Sequence, residues 1–163
     1  LRLSEADSFF SSFEKRQQTL ASAESCTGGL ISSVLTSRPG ASYWFLGGVC
    51  PYSVGSKVRV LGLSEQDISS NGVVSAETAW GLASSVRTLF GSDWGVGVTG
   101  YAGPSGGDSL HPVGTVYLAV CGPVSALTHE FFLQNREEFR WSTVKALFIL
   151  FKKCLDRFDT LGL

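Results

Sequence analysis

Hydrophobic and polar positions change their period several times along the chain, and each change predicts an element. Residues 4–17 place polar side chains on one face of a helix, and "TLASAE" (19–24) is a short strand of small residues. "GGLISSVLTS" (28–37) predicts a helix stopped by Pro39-Gly40. "SYWFLGGVCPYS" (42–53) has the aromatic and β-branched content of a strand, with Gly47-Gly48 marking a bulge or a close backbone approach. "GSKVRVLG" (55–62) predicts a short helix ending at Gly62. "SAETAWGLASSVRTLFG" (75–91) predicts a longer one, with Ser75 as N-cap, Glu77 in the first turn and Gly91 at the end. "DWGVGVTG" (93–100) reads as a strand, residues 101–112 as a glycine-rich loop, and 113–122 with 125–133 as paired strands turning at Gly122-Pro123. The longest helix is 136–158, where Val144, Leu147, Phe148, Phe151 and Leu155 share one face.

Strands that alternate with helices and then pair as a hairpin predict an α/β sandwich with a mixed sheet and helices on both faces. No repeat, low-complexity run or linker divides the chain, so residues 1–163 are expected to form one domain. Charged residues are 17% and hydrophobic ones 44%, with mean hydropathy +0.17. Typical soluble domains carry ~25% charged residues. The excess of apolar surface predicts a homo-oligomer that buries part of it against another subunit. A net charge of −1 gives no strong pull on nucleic acid or an anionic membrane. No apolar run is long enough to span a bilayer, and the first residues, starting at Leu1, lack a signal-peptide core. Cys26, Cys50, Cys121 and Cys154 are widely spaced, without a C-x-x-C pair. Buried free thiols in a reducing, cytoplasmic compartment are expected, with no metal site.

Candidate chemistry gathers at four places. "AESCTGG" (23–29) puts Ser25, Cys26 and Thr27 at a strand-to-helix turn, where backbone N–H groups can bind an anion or an oxyanion. The plain alternative is a helix start capped by Ser25 or Thr27. "PYSVGSK" offers Tyr52, Ser53 and Lys57. A lysine can act as base for a serine, but only if burial brings its pKa from ~10.4 to roughly 7–8, a cost of ~4 kcal/mol. Otherwise Lys57 is a surface lysine. "GPSGG" (103–107) can form a nest for phosphate or carboxylate, or be merely a loop. Arg136 and Arg140, one helical turn apart, can grip a phosphate or make a salt-bridged face with Glu137 and Glu138. Neither His111 nor His129 has a ligand partner at metal spacing.

Taken in order, "AESCTGGLISSVLTSRPGAS", "YS" followed by Lys57, "NGVVSAETA", "VTGYAGPSGG", "HPVGTVYLAV" and "NREEFR" resemble the CinA C-terminal domain family, from about residue 5 to 157. The resemblance implies a three-layer α/β/α domain without metal or organic cofactor. It also implies an amidohydrolase that converts nicotinamide mononucleotide to nicotinic acid mononucleotide and ammonia. It assigns Ser25 as nucleophile and Lys57 as its partner, with Tyr52, Thr99 and either Arg136 or Arg140 completing the site. On that reading the N–H groups of Cys26, Thr27, Gly28 and Gly29 hold the oxyanion. Gly103, Ser105, Gly106 and Gly107 then hold the substrate phosphate together with one arginine. The Cys26 thiol becomes a bystander, and Thr27 a cap. The chain departs from the family pattern at Pro51, at Val54-Gly55-Ser56 and at His111. The altered 54–56 segment leaves a second reading, a module that binds nucleotide without hydrolysing it. The family name suggests a third, an interaction role in competence or DNA repair.

Overall fold

The computed structural model describes residues 4–163, so the first three residues of the expected domain lie outside it. The elements run α1 (Ser4–Phe13), β1 (Leu20–Glu24), α2 (Leu30–Thr36), a 3-10 turn (Ala41–Tyr43), β2 (Phe45–Val49), α3 (Val54–Leu61), α4 (Glu65–Asn71), α5 (Ala76–Phe90), β3 (Trp94–Gly100), β4 (Thr115–Cys121), β5 (Ala126–Phe131) and α6 (Arg136–Leu161). The five strands form one mixed sheet in the order β2-β1-β3-β4-β5. β1 runs parallel to β2 and β3, and β4 is antiparallel to both β3 and β5. Helices cover both faces, as the alternation of strand and helix predicts.

The boundaries tighten relative to the sequence reading. α1 ends at Phe13, α2 begins at Leu30, and the 42–53 segment divides into the 3-10 turn and the short β2. α4 has no counterpart in the hydrophobic pattern. It is seven residues long and buries only Ile68, so no periodicity can show; its start is set by Ser64, whose side chain accepts from the Asp67 N–H. The glycine pair of β2 does mark an irregularity. The register against β1 shifts between Leu20 and Ala21, and a Cβ at Gly48 would lie 2.4 Å from Ser22 Oγ.

The two faces of the sheet differ in side-chain size. On one, Leu20, Val96, Val98, Val116, Leu118 and Val120 pack against α1, α2 and α6, where Phe9, Phe13, Phe148 and Phe151 cluster. On the other, Ala21, Ala23 and Ala119 meet α5. The period of two along each strand assigns every residue to one of these layers. β3 carries glycine at 95 and 97, where α5 lies almost against the backbone. A Cβ at Gly97 would lie 2.3 Å from the Ala79 carbonyl oxygen and 2.5 Å from the Ala83 nitrogen.

The chain passes from β1 to β2 through α2 on one face. It returns from β2 to β3 through α3, α4 and α5 on the other, skipping over β1. Right-handed crossovers in opposite directions require opposite faces. The loops leaving β1 toward α2 and β2 toward α3 therefore part at the strands' carboxyl ends and open a crevice, the usual place for a ligand in an α/β sheet.

Gly97→Ala is expected to cost about 3 kcal/mol, because α5 must lift from β3 to admit the methyl group. A urea denaturation curve measures it; an unchanged midpoint would contradict the close approach.

Candidate active site

Ser25 sits at the mouth of that crevice. Its N–H donates to the Val98 carbonyl at 3.1 Å, extending the β1–β3 ladder by one residue. The alternation of β1 then sends Glu24 and Ser25 to opposite sides: Glu24 toward α2, Ser25 toward α3.

Glu24 is fully buried, and its carboxylate organises the turn that follows. One oxygen accepts from Thr27 Oγ1 (2.7 Å), Gly29 N–H (3.0 Å) and Ile31 N–H (2.9 Å). The other accepts from the Ser32 N–H (2.8 Å) and Ser32 Oγ (2.7 Å). A carboxylate from the preceding strand thus caps α2, and the N-cap residue itself, Gly29, contributes no side chain. This corrects the expectation that Ser25 or Thr27 caps the helix: the Thr27 hydroxyl donates to Glu24 instead. Gly28 and Gly29 take left-handed conformations, φ 58° and 95°, which let the chain turn around the carboxylate.

On the other side, Lys57 is completely buried and its Nζ lies 3.0 Å from Ser25 Oγ. The same nitrogen donates to the Pro51 carbonyl at 2.7 Å and the Tyr52 carbonyl at 3.2 Å. Burial pulls its pKa down from 10.5 to about 8. The start of α3 aims it. Ser53 and Ser56 form a reciprocal capping box, each side chain bonded to the other's backbone N–H, so the unusual Val54-Gly55-Ser56 stretch makes a well-formed helix start.

A chain of contacts links the remaining candidates. The Tyr52 hydroxyl accepts from Arg136 Nη2 at 2.8 Å, while Arg136 Nη1 donates to the Gly103 carbonyl at 2.7 Å. Arg140 donates through Nε and Nη2 to the Thr27 carbonyl, at 3.2 and 2.6 Å. The two arginines therefore brace different loops: Arg136 the glycine loop and Tyr52, Arg140 the serine turn. Ser105, Gly106 and Gly107 are exposed, and their N–H groups donate to no described residue. Thr99 follows Val98, the ladder partner of Glu24, and so lies beside Ser25 on the same face of the sheet. Its hydroxyl, on the α5 side of β3, donates to the Val73 carbonyl at 2.7 Å.

The oxyanion donors narrow as well. Gly28 N–H is bonded to the Ser25 carbonyl and Gly29 N–H to Glu24. Those of Cys26 and Thr27 donate to no other described residue and stay available beside Ser25. Burial pushes the Cys26 thiol up to about 12, so it holds its proton at neutral pH. Cys50 departs from the expectation of buried thiols: it is exposed, while the other three are buried. Among the described residues no group of acidic, histidine or cysteine side chains is placed to hold a metal, and no helix is long and apolar enough to cross a membrane.

A sequence model of the CinA C-terminal domain matches residues 3–155. The chain belongs to that family. It is 42% identical over 147 residues to a CinA-like protein of Thermosynechococcus vestitus and 43% identical over 115 residues to one of Synechocystis. These matches cover 87% and 71% of this chain but only 35% and 28% of the relatives, so the chain spans about a third of their length. Among solved structures, a CinA superfamily protein of Klebsiella pneumoniae superposes with TM-score 0.89 at 25% identity, covering 94% of this chain and 96% of that one. A competence/damage inducible protein of Agrobacterium tumefaciens gives TM-score 0.85 at 31% identity, covering 92% and 93%. The fold expected of the family is thus the fold of this chain.

Sequence reasoning missed Glu24 as an organiser and the carbonyls of Pro51 and Tyr52 as the acceptors around Lys57. A signal for Glu24 exists: a lone acid inside a strand of small residues must be paired if buried. The carbonyls leave none, since every residue has one. Removing the hub, Glu24→Ala, is expected to cost about 4 kcal/mol by stranding several buried donors at once. Glu24→Gln should lose at least about 2 kcal/mol, because its amide turns donors toward donors. Chemical denaturation of both variants reads this.

Proposed function

We propose that this domain is an amidohydrolase that releases ammonia from nicotinamide mononucleotide, with Ser25 as nucleophile and Lys57 as its base. The observation that carries the reading is the buried Lys57 Nζ, 3.0 Å from Ser25 Oγ, with its pKa near 8. At pH 7 about a tenth of such an amine is neutral, about three hundred times the neutral share of an unperturbed lysine. The neutral amine has two hydrogens and one lone pair. The Pro51 and Tyr52 carbonyls accept the two hydrogens, which leaves the lone pair facing Ser25 Oγ.

The steps follow from this arrangement. Lys57 takes the hydroxyl proton as Ser25 Oγ attacks the carboxamide carbon, and the oxyanion forms against the N–H groups of Cys26 and Thr27. The C–N bond breaks as Lys57 returns the proton to the departing nitrogen, giving ammonia and an ester on Ser25. A water molecule, deprotonated by the same amine, then attacks the ester carbon; the bond to Ser25 Oγ breaks as Lys57 returns the proton to that oxygen, freeing the carboxylate product and restoring the serine. Arg136 and the free N–H groups of Ser105, Gly106 and Gly107 fit the phosphate, since Arg136 is exposed beside them at the loop it braces. Arg140, committed to the Thr27 carbonyl, holds the oxyanion turn in place.

Ser25→Ala and Lys57→Ala should each lower ammonia release by at least about a thousandfold, and wild-type rates in either would overturn the mechanism. Arg136→Ala should raise KM for nicotinamide mononucleotide by about tenfold and leave the turnover of nicotinamide riboside, which has no phosphate to hold, unchanged. The wild-type rate should climb with pH up to about 8 and level off above it, as Lys57 loses its proton. A profile flat from pH 6 to about 9 would exclude Lys57 as the base.

A further inference from the structure

A cleft of about 780 Å³ opens at the opposite end of β1, lined by residues that the chemistry above does not use. Thr19 in its wall immediately precedes β1 and Ser25 immediately follows it, so about 16 Å of strand separates the two places. We propose that this cleft is a second binding site, one for a planar aromatic anion of mononucleotide size. Its volume falls within the ~300–1,000 Å³ of small-molecule sites.

Tyr43 and Trp44 supply the surface for a ring. The Tyr43 side chain is 88% exposed, although its backbone is fixed. The turn that carries it is pinned by Ala41 N–H to the Arg38 carbonyl, Tyr43 N–H to the Gly40 carbonyl and Trp44 N–H to the Ala41 carbonyl, each at 3.1 Å. Trp44, 5% exposed, is anchored among Phe9, Phe10 and Phe13. An aromatic held out in water on a rigid turn offers a stacking face with little backbone entropy left to lose.

Arg16 and Arg38 supply the charge. Arg38 Nε donates to Glu14 at 2.9 Å, and its guanidinium lies 5.5 Å from the centre of the Phe10 ring. That fixes the plane of the group and leaves both Nη nitrogens without an acceptor among the described residues. Arg16 is held by Asp159 and the Ser12 carbonyl, and its Nε–H is buried with no acceptor among the described residues. Each guanidinium is paired with one carboxylate, Arg38 with Glu14 and Arg16 with Asp159, and what remains for an anion is the open Nη edge of Arg38 and the buried Nε–H of Arg16. Because Arg38 begins the turn that ends at Tyr43, one rigid segment presents both the cation and the ring.

Adenosine monophosphate, titrated calorimetrically into the intact protein beside adenosine and inorganic phosphate, tests the site. Tyr43→Ala and Arg38→Gln are each expected to weaken adenosine monophosphate binding about tenfold, without moving the melting temperature by more than about 2 °C. Arg136→Ala, at the other end of the strand, should leave the affinity unchanged. Adenosine and phosphate alone should each bind at least about tenfold more weakly than the nucleotide. The proposal falls if no binding is detected at about 1 mM nucleotide, if phosphate alone binds as tightly, or if Arg136→Ala weakens binding while Tyr43→Ala does not.

Discussion

A primary amine held in the interior, 3.0 Å from a serine hydroxyl, sets the terms for everything around it. Moving Lys57 from a pKa of 10.5 to about 8 corresponds to about 3 kcal/mol of differential interaction. The sign follows from which state keeps the proton. Between pH 8 and 10.5 the unfolded chain still binds a proton that the folded chain has shed, so folding gains stability as pH rises through that window. Below pH 8 the folded protein carries the whole cost. The Pro51 and Tyr52 carbonyls soften it by accepting hydrogen bonds, and the capping box of Ser53 and Ser56 keeps α3 from fraying at the turn that holds the amine.

The other side of β1 answers with a buried acid. Glu24 gathers donors from Thr27, Gly29, Ile31 and Ser32, and Ser25 lies between that hub and Lys57. Strand alternation makes this possible, since adjacent residues point to opposite layers. One position is used to build the helix start, and the next is delivered to the amine. The long helix α6 closes the arrangement from outside, with Arg140 gripping the serine turn and Arg136 joining Tyr52 to the glycine loop. Ser25 is thereby fixed from the strand, from both neighbouring layers and from a helix more than a hundred residues away in sequence.

Much of this was legible before any coordinates. The mixed sheet follows from the periodicity, and the family resemblance names Ser25 and Lys57. What could not be read falls into two kinds. α4 is too short and too polar to leave a hydrophobic rhythm, so only its Ser64 cap and acidic first turn point to it. The acceptors around Lys57 are backbone atoms, whose positions depend on the path of the chain rather than on residue type. Thr99 lies between the two kinds: the register puts it beside Ser25, while its hydroxyl donates to a backbone carbonyl, that of Val73, which residue type does not reveal.

Serine beside cysteine poses the question of which would be the nucleophile in the proposed mechanism, and burial favours the serine by acting on two groups with opposite signs. Desolvation disfavours whichever form is charged. For the Cys26 thiol that form is the reactive thiolate, so burial drives its pKa to about 12 and disables it. For Lys57 the charged form is the inert ammonium, so the same removal of water lowers its pKa and exposes the lone pair. Ser25 needs no ionisation of its own in the ground state; it needs a neutral base within reach. On the proposed mechanism, a dry pocket therefore silences the thiol and favours the hydroxyl one residue earlier.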